Sequence, residues 1–341
     1  MYLLQKLNRY VIPRTELTYP GHLLKMHQNA AAAPVDHIMP DFEDACPYEF
    51  KGDASRETMV EALNTVDFGH KVIAIRPNNI HSRFFLGDIQ AIVLGAPDRF
   101  HGIILPKTNG PEDIVYLAKL LDALERQGGW TTRIQIEALI ETPLGLTNAY
   151  QIATASDRMA GLIFGIADFG AAMGVRELVD DQNRNFHYAK QATVVAAKAA
   201  GLHAVDNAYL RIVRKDTTPE EARAIEQGLR QKNIEAANLG MDGSWVIHPQ
   251  QAEIVNECYT PSEEQIEKSK QAVEYYHEQG GGSIYNPNTG EFEDEATVKG
   301  KLMDLAKAVQ AGRLDAAWLA EQAARSKGVT GYDILEVMKR A

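Results

Sequence analysis

The chain has 341 residues, enough for one large α/β barrel or for two average domains. Its composition is ordinary for a globular protein, at 45% hydrophobic and 24% charged. The formal net charge of −11 argues against nucleic acid or an anionic membrane as a partner, because both need a basic surface to displace counterions. Two cysteines, Cys46 and Cys258, give neither a disulfide framework nor a metal-thiolate spacing, which fits a reducing compartment. The opening MYLLQKLNRYVIPR lacks the long apolar core of an export signal, and no apolar run approaches the length of a membrane span. The expectation is a soluble, cytoplasmic protein.

Short apolar runs rich in β-branched residues recur along the chain: RYVIP near 10, HIMPDFED near 38, KVIAIRPN near 72, GIILPK near 103, IQIEALIE near 136, GLIFGIAD near 163, LHAVDNA near 204 and SWVIHP near 246. They are eight candidate strands. Helical periodicity fills the gaps, as in 111–127 and 186–201. Spacings of roughly 26 to 42 residues match a strand, a helix and two loops, so the rhythm predicts a closed (β/α)8 TIM barrel over residues 1–260, with an open doubly wound sheet as its rival. From about 261 the pattern changes. TPSEEQIEKSKQAVEYYHEQ reads as an exposed helix, GGGSIYNPNTGEFEDEA as a glycine-rich turn or short hairpin, and the remainder to 341 as helices, together a C-terminal helical and lid extension.

Catalytic groups of such a barrel lie at the C-terminal ends of its strands. Those ends supply Asp41, Glu43, Asp44, Arg76, Asn78, Lys107, Glu141, Asp168, Asp206 and His248. Any one acid there is explained equally by a helix N-cap or by loop solvation, and His248 reads as a structural residue. Glu141 and Asp168, closing successive strands, form the sharpest pair. Two carboxylates without a histidine or cysteine partner suit Mg2+, or Mn2+, better than zinc. Arg76 offers a fixed fork of donors to a carboxylate or a developing enolate oxygen, or else pairs with Glu43 or Asp44. Lys107 leaves a Schiff-base aldolase open. No Walker A loop, dinucleotide fingerprint, nucleophile elbow or HExxH pair is present.

The stretches PDFEDACPYEFK, AIRPNN, GIILPKTNGPEDI, ALIETPLGLTNAYQIA, GLIFGIADFGAAMG, GMDGSWVIHPQQ and GEFEDEA, in that order, resemble the citrate lyase β-subunit-like family within the HpcH/HpaI aldolase superfamily. Within it the chain looks most like malyl-CoA and β-methylmalyl-CoA lyases. The resemblance implies a Mg2+-dependent, reversible Claisen-type lyase that cleaves a β-hydroxyacyl-CoA to glyoxylate plus acetyl-CoA or propionyl-CoA. It implies that Glu141 and Asp168 hold the metal, that Arg76 stabilises the thioester enolate, and that Glu43 and Asp44 orient Arg76 and metal-bound water. Asp294 matches a lid aspartate supplied by a neighbouring subunit for proton transfer, which implies a homotrimer or hexamer. Arg14 and Lys107 are the expected contacts to the coenzyme A thioester; a family arginine six residues before the proline of the first strand is here Leu7. Alternatives are citramalyl-CoA cleavage to pyruvate, malate-synthase-like thioester hydrolysis, and a non-enzymatic acyl-CoA-binding relative.

Overall fold

Tyr2–Leu4 (β1) and Arg9–Val11 (β2) pair antiparallel, outside the main sheet. The barrel begins with Thr15–Pro20 (β3) and continues through His37–Asp41 (β4), Val72–Ile75 (β5), Gly102–Leu105 (β6) and Gln135–Ile140 (β7). Met159–Phe164 (β8), His203–Asp206 (β9) and Gly243–Val246 (β10) complete it. Every neighbouring pair is parallel and β10 closes on β3, which makes the eight-stranded (β/α)8 barrel. This computed structural model describes residues 2–4, 9–11, 13–178 and 184–326. Leu7 and the tail from 327 to 341 lie outside the described residues.

Seven of the eight expected strands coincide with barrel strands; the first does not. Its Arg9–Val11 portion falls in the outer hairpin, and the barrel strand is the following TELTYP. Its inward side carries Glu16, which faces carboxylate and imidazole groups of other strands, so the strand has no apolar run to betray it.

The barrel wall is bracketed by Leu24–Ala32 (α1), Asp53–Thr65 (α2), Phe85–Gly95 (α3) and Pro111–Gly128 (α4). Pro143–Thr147 (α5), Ala149–Ala153 (α6), Ile166–Met173 (α7), His187–Ala199 (α8), Pro219–Asn238 (α9) and Ala252–Cys258 (α10) follow. The start of α4 shows how sequence fixes such an element. Pro111 takes a first-turn position where its missing N–H costs nothing, and the Asp113 carboxylate accepts from the Asn109 and Gly110 amides at 2.9 and 3.3 Å.

Alternation along each strand sends one set of side chains outward to the helices and the other into the barrel. Outward, residues such as Ile38, Ile73, Ile103, Ile136 and Leu162 pack with Ile89, Leu117 and Ile152. Inward, Met39, Ala74, Ile104, Leu139, Ile163 and Val205 with Trp245 fill the middle layer. On β7 the inward face reads Glu137, Leu139 and then Glu141 just past the strand, so one strand carries a carboxyl group to each end of that apolar plug.

Residues Glu263–Glu278 (α11), Glu295–Gln310 (α12) and Ala316–Arg325 (α13), with the hairpin Ile284–Asn286 (β11) and Glu291–Glu293 (β12), gather around a second apolar cluster that includes Val273, Tyr276, Leu302, Leu305 and Leu319. Gly280, Gly281 and Gly282 separate α11 from the hairpin, and all three have φ between 80 and 91°, a region other residues rarely enter. No helix among the described residues is long and apolar enough to cross a membrane.

Candidate active site

The parallel ladder between β4 and β5 continues one step past β5 as a bridge from Asp41 to Arg76, with Arg76 N donating to Pro40 O at 3.0 Å and Phe42 N to Arg76 O at 2.9 Å. That register sets the two side chains beside each other at the barrel mouth. Arg76 Nε donates to Asp41 Oδ1 at 2.7 Å and Nη2 to Asp41 Oδ2, a bidentate pair with both partners buried. Nη1 remains, 3.6 Å from Glu43 Oε2 and 3.6 Å from Asp44 Oδ2. The guanidinium also lies over the Trp245 ring, 5.1 Å from its centroid. Burial opposes its charge, but Asp41, Glu43 and Glu141 outweigh that penalty and push its pKa up, so Arg76 is a permanent cation.

Glu141 follows β7 directly and is buried. Its Oε1 accepts from the Lys107 amide at 2.6 Å, and Lys107 takes φ of 52° to aim that amide inward. Gly165 supplies the space: a Cβ there would come within 2.7 Å of Glu141 Cβ. Burial, together with the charges of Glu43 and Asp168, pushes the Glu141 carboxyl up to about 8 despite the opposing pull of Arg76. Asp168 lies four residues beyond the end of β8, in the first turn of α7, rather than closing the strand as its sequence context suggested. Its carboxylate is 37% exposed and sits 3.7 Å from Lys107 Nζ, which also reaches Glu43 at 3.1 Å and Asp44 at 3.7 Å. Partial burial disfavours the ammonium, yet Glu43, Asp44 and Asp168 more than offset this and raise its pKa. A lysine held so firmly protonated is a poor Schiff-base nucleophile.

The mouth therefore gathers Arg76, Glu43, Asp44, Lys107, Glu141 and Asp168. Other expected residues stand elsewhere. Arg14 precedes β3 and bonds Asp36 at 2.7 and 2.8 Å and Thr260 at 3.0 Å, which puts it at the N-terminal end of the barrel, away from the mouth. Arg14, expected from the family resemblance to contact the coenzyme A ester, is instead engaged by Asp36 and Thr260 at that end. Asp206 pairs with Lys190 at 3.0 Å and Lys232 at 2.8 Å in a buried network between wall and helices. His248 caps the turn after β10, accepting from Gln250 N at 3.3 Å. Asn78 holds Asp88 at 2.7 Å. Asp294 is the exposed N-cap of α12, accepting from Thr297 N at 2.9 Å.

Sequence reasoning placed Asp41 among the strand ends but gave the pairing of Arg76 to Glu43 or Asp44; Asp41, the last residue of β4, is the principal partner. It missed Trp245, on the inward side of β10. A further buried group went unnoticed at the opposite end: Glu16, Glu137 and His203 present donor atoms all within 4.8 Å of one another.

A family model described as HpcH/HpaI aldolase/citrate lyase matches residues 14–249. The chain belongs to that family. This family member is 29% identical over 317 residues to the L-malyl-CoA/beta-methylmalyl-CoA lyase of Cereibacter sphaeroides, covering 87% of its own length and 92% of the relative's. It is 32% identical over 284 residues to the citrate lyase subunit beta of Leuconostoc mesenteroides subsp. cremoris, covering 82% and 88%. It shares its fold with the crystal structure of protein CitE from Mycobacterium tuberculosis in complex with magnesium, acetoacetate and coenzyme A, at a TM-score of 0.71 and 22% identity over 88% of this chain and 99% of that one. The family is one of aldolases and lyases, and this member is an enzyme of that kind.

Proposed function

We propose that the enzyme is a Mg2+-dependent, reversible Claisen-type lyase that cleaves malyl-CoA or β-methylmalyl-CoA to glyoxylate plus acetyl-CoA or propionyl-CoA. The observation that carries the reading is the buried Arg76 fork held by Asp41 beside two metal-type carboxylates in one mouth; the similarity to malyl-CoA lyases along most of the chain supports the substrate class.

Glu141 and Asp168 are the residues that would hold the cation. The donor set fits a hard divalent ion: carboxylate oxygens only, with burial first and then the charges of Glu43 and Asp168 raising the Glu141 pKa, a penalty that an added cation relieves. When bound, Mg2+, or Mn2+ in its place, supplies a Lewis acid for the oxygens of an α-keto acid. Cleavage next to a thioester leaves negative charge on the thioester oxygen, and Arg76 Nη1 is the donor left to meet it once Nε and Nη2 are committed to Asp41. Because Asp41 and Trp245 fix the guanidinium beforehand, little reorganisation accompanies the reaction. Glu43 and Asp44 border that donor edge, and Lys107 ties them to Asp168. Lys107, 31% exposed, is the basic side chain at the rim for an anionic part of the coenzyme A ester.

Asp294 lies on the extension of residues 261–341, exposed beside Phe292, which is 70% exposed. In this reading the extension is a lid that closes the mouth of a neighbouring copy in a homotrimer or hexamer, and Asp294 moves the proton at the acyl α-carbon there. A cytoplasmic location belongs to the same reading, supported by two cysteines that are both free thiols.

The test is consumption of CoA ester by the purified full chain with Mg2+, with glyoxylate or pyruvate offered separately beside acetyl-CoA and propionyl-CoA. Metal-dependent condensation with glyoxylate, lost in Asp168→Ala, is the expected result. Condensation with pyruvate alone would reassign it to citramalyl-CoA, and free CoA among the products would make it a malate-synthase-like hydrolase. No turnover with any pair in folded, Mg2+-saturated protein would refute the lyase reading for these substrates.

A further inference from the structure

We propose that Glu16, Glu137 and His203 form a second metal site, at the closed end of the barrel, for one divalent cation of the zinc class. The three side chains come from β3, β7 and β9, and their donor atoms lie within 4.8 Å of one another. Tetrahedral zinc, with bonds near 2.0–2.1 Å, needs donors about 3.3 Å apart, so small side-chain shifts close the set. All are fully enclosed, at 0%, 0% and 1% exposure.

Three observations point to a ligand rather than to ordinary packing. Glu16 and Glu137 bring two fully buried carboxyl groups to within 4.8 Å of each other, with no exposure to solvent to offset like charge. Neither Glu16 oxygen accepts a well-formed hydrogen bond; His37 Nδ1 stands 3.3 Å from Oε1 without the required geometry. Glu137 Oε1 meets His203 Nε2 in a short contact, so imidazole and carboxylate already converge on one point. The backbone has been cleared for this ring: a Cβ on Gly161 would come within 2.0 Å of His203 Nε2.

The site is distinct from the mouth. Glu137 precedes Glu141 by four residues on the same face of β7, about 13 Å along a strand, with the Met39, Leu139 and Val205 layer between. The donor sets differ as well. An imidazole with two carboxylates in a dry enclosure suits zinc, whereas the oxygen-only mouth suits magnesium. Val11 packs against the interior layer at this end, so the cation enters during folding rather than by exchange.

The experiment is metal analysis of the full chain refolded with Zn2+ and dialysed against EDTA, in wild type, Asp168→Ala and Glu137→Gln. About one retained equivalent of zinc in wild type and in Asp168→Ala, and none in Glu137→Gln, is the expected result. Less than about a tenth of an equivalent in wild type, or zinc lost with Asp168→Ala and kept in Glu137→Gln, overturns the proposal. If Glu137→Gln does not fold, protein refolded with Co2+ decides: strong tetrahedral absorption in both wild type and Asp168→Ala supports the site, and its absence refutes it. Because none of these readouts is turnover, failure here leaves the lyase reading standing, and the reverse also holds.

Discussion

Replacing Asp41 by asparagine asks which acid holds the buried arginine. The substitution keeps the size of the side chain but removes the charge that receives both Nε and Nη2 of Arg76. Arg76 is 4% exposed, so it cannot turn to water for compensation. Losing one partner of a buried pair costs about 3–5 kcal/mol. Glu43 and Asp44, each 3.6 Å from Nη1, and the Trp245 face retain part of the stabilisation, which places the expected loss near the lower end, about 3 kcal/mol. In a domain of this size that lowers the melting temperature by roughly 6–12 °C. Asp44→Asn is the matched control. Its carboxylate is 53% exposed and contributes only a distant ion pair, so less than about 1 kcal/mol is expected. Urea unfolding of both variants measures the difference. In the coupled CoA-ester assay Asp41→Asn should lower kcat about tenfold with KM little changed, because Nη1 loses its aim rather than its charge. If Asp41→Asn is no more destabilising than Asp44→Asn, the account of how Arg76 is held is wrong.

Gly165→Ala drives a methyl group to within 2.7 Å of Glu141 Cβ, and should weaken Mg2+ binding, measured calorimetrically, at least about tenfold while the fold survives; unchanged affinity would remove Glu141 from the metal site. Asp294→Asn keeps the N-cap of α12, since asparagine caps as well as aspartate, but removes the acid. It should therefore abolish turnover without lowering the melting temperature. Mixed with Asp168→Ala subunits it should regain activity, and a mixture as inactive as its parents would sink the shared lid. His27, enclosed by Gly21 O at 2.9 Å and Tyr19 Oη at 3.1 Å, is lowered to about 4 by burial, which the backbone bond only partly opposes. Below pH 6.5 the unfolded chain gains a proton that the folded chain refuses until about pH 4, so stability falls with acid across that window by up to about 1.4 kcal/mol per pH unit from this group. His27→Gln should flatten the difference between melts at pH 7 and pH 4.5; a parallel profile would refute the linkage.

The barrel was legible because parallel strands buried on both faces are written as near-continuous apolar runs, and seven strands have that form. β3 does not, since its inward face meets a polar cluster rather than the apolar plug. The mouth was legible for a related reason: a charged residue directly after a buried run has few bland uses once several such runs share one rim. Asp168 shows the limit of that rule, because the run GLIFGIAD spans the end of β8 and the first turn of α7 without any change in hydrophobicity to mark the boundary.

Polar residues at the beginnings of strands carried no such signal. Glu16, His37, Glu137 and His203 each sit at or near the first residue of a strand, scattered over 188 positions of sequence, from 16 to 203, and only closure of the barrel brings them together. The same closure sets Trp245 of β10 over Arg76, just past β5. What a sequence displays is the direction each strand faces; which side chains then meet across the barrel depends on strand order and stagger. The two ends of β7 state the contrast within one element. Glu141 announces itself by ending an apolar run, while Glu137, the fourth residue of IQIEALIE, looks like an ordinary interruption until its neighbours from β3 and β9 are in place.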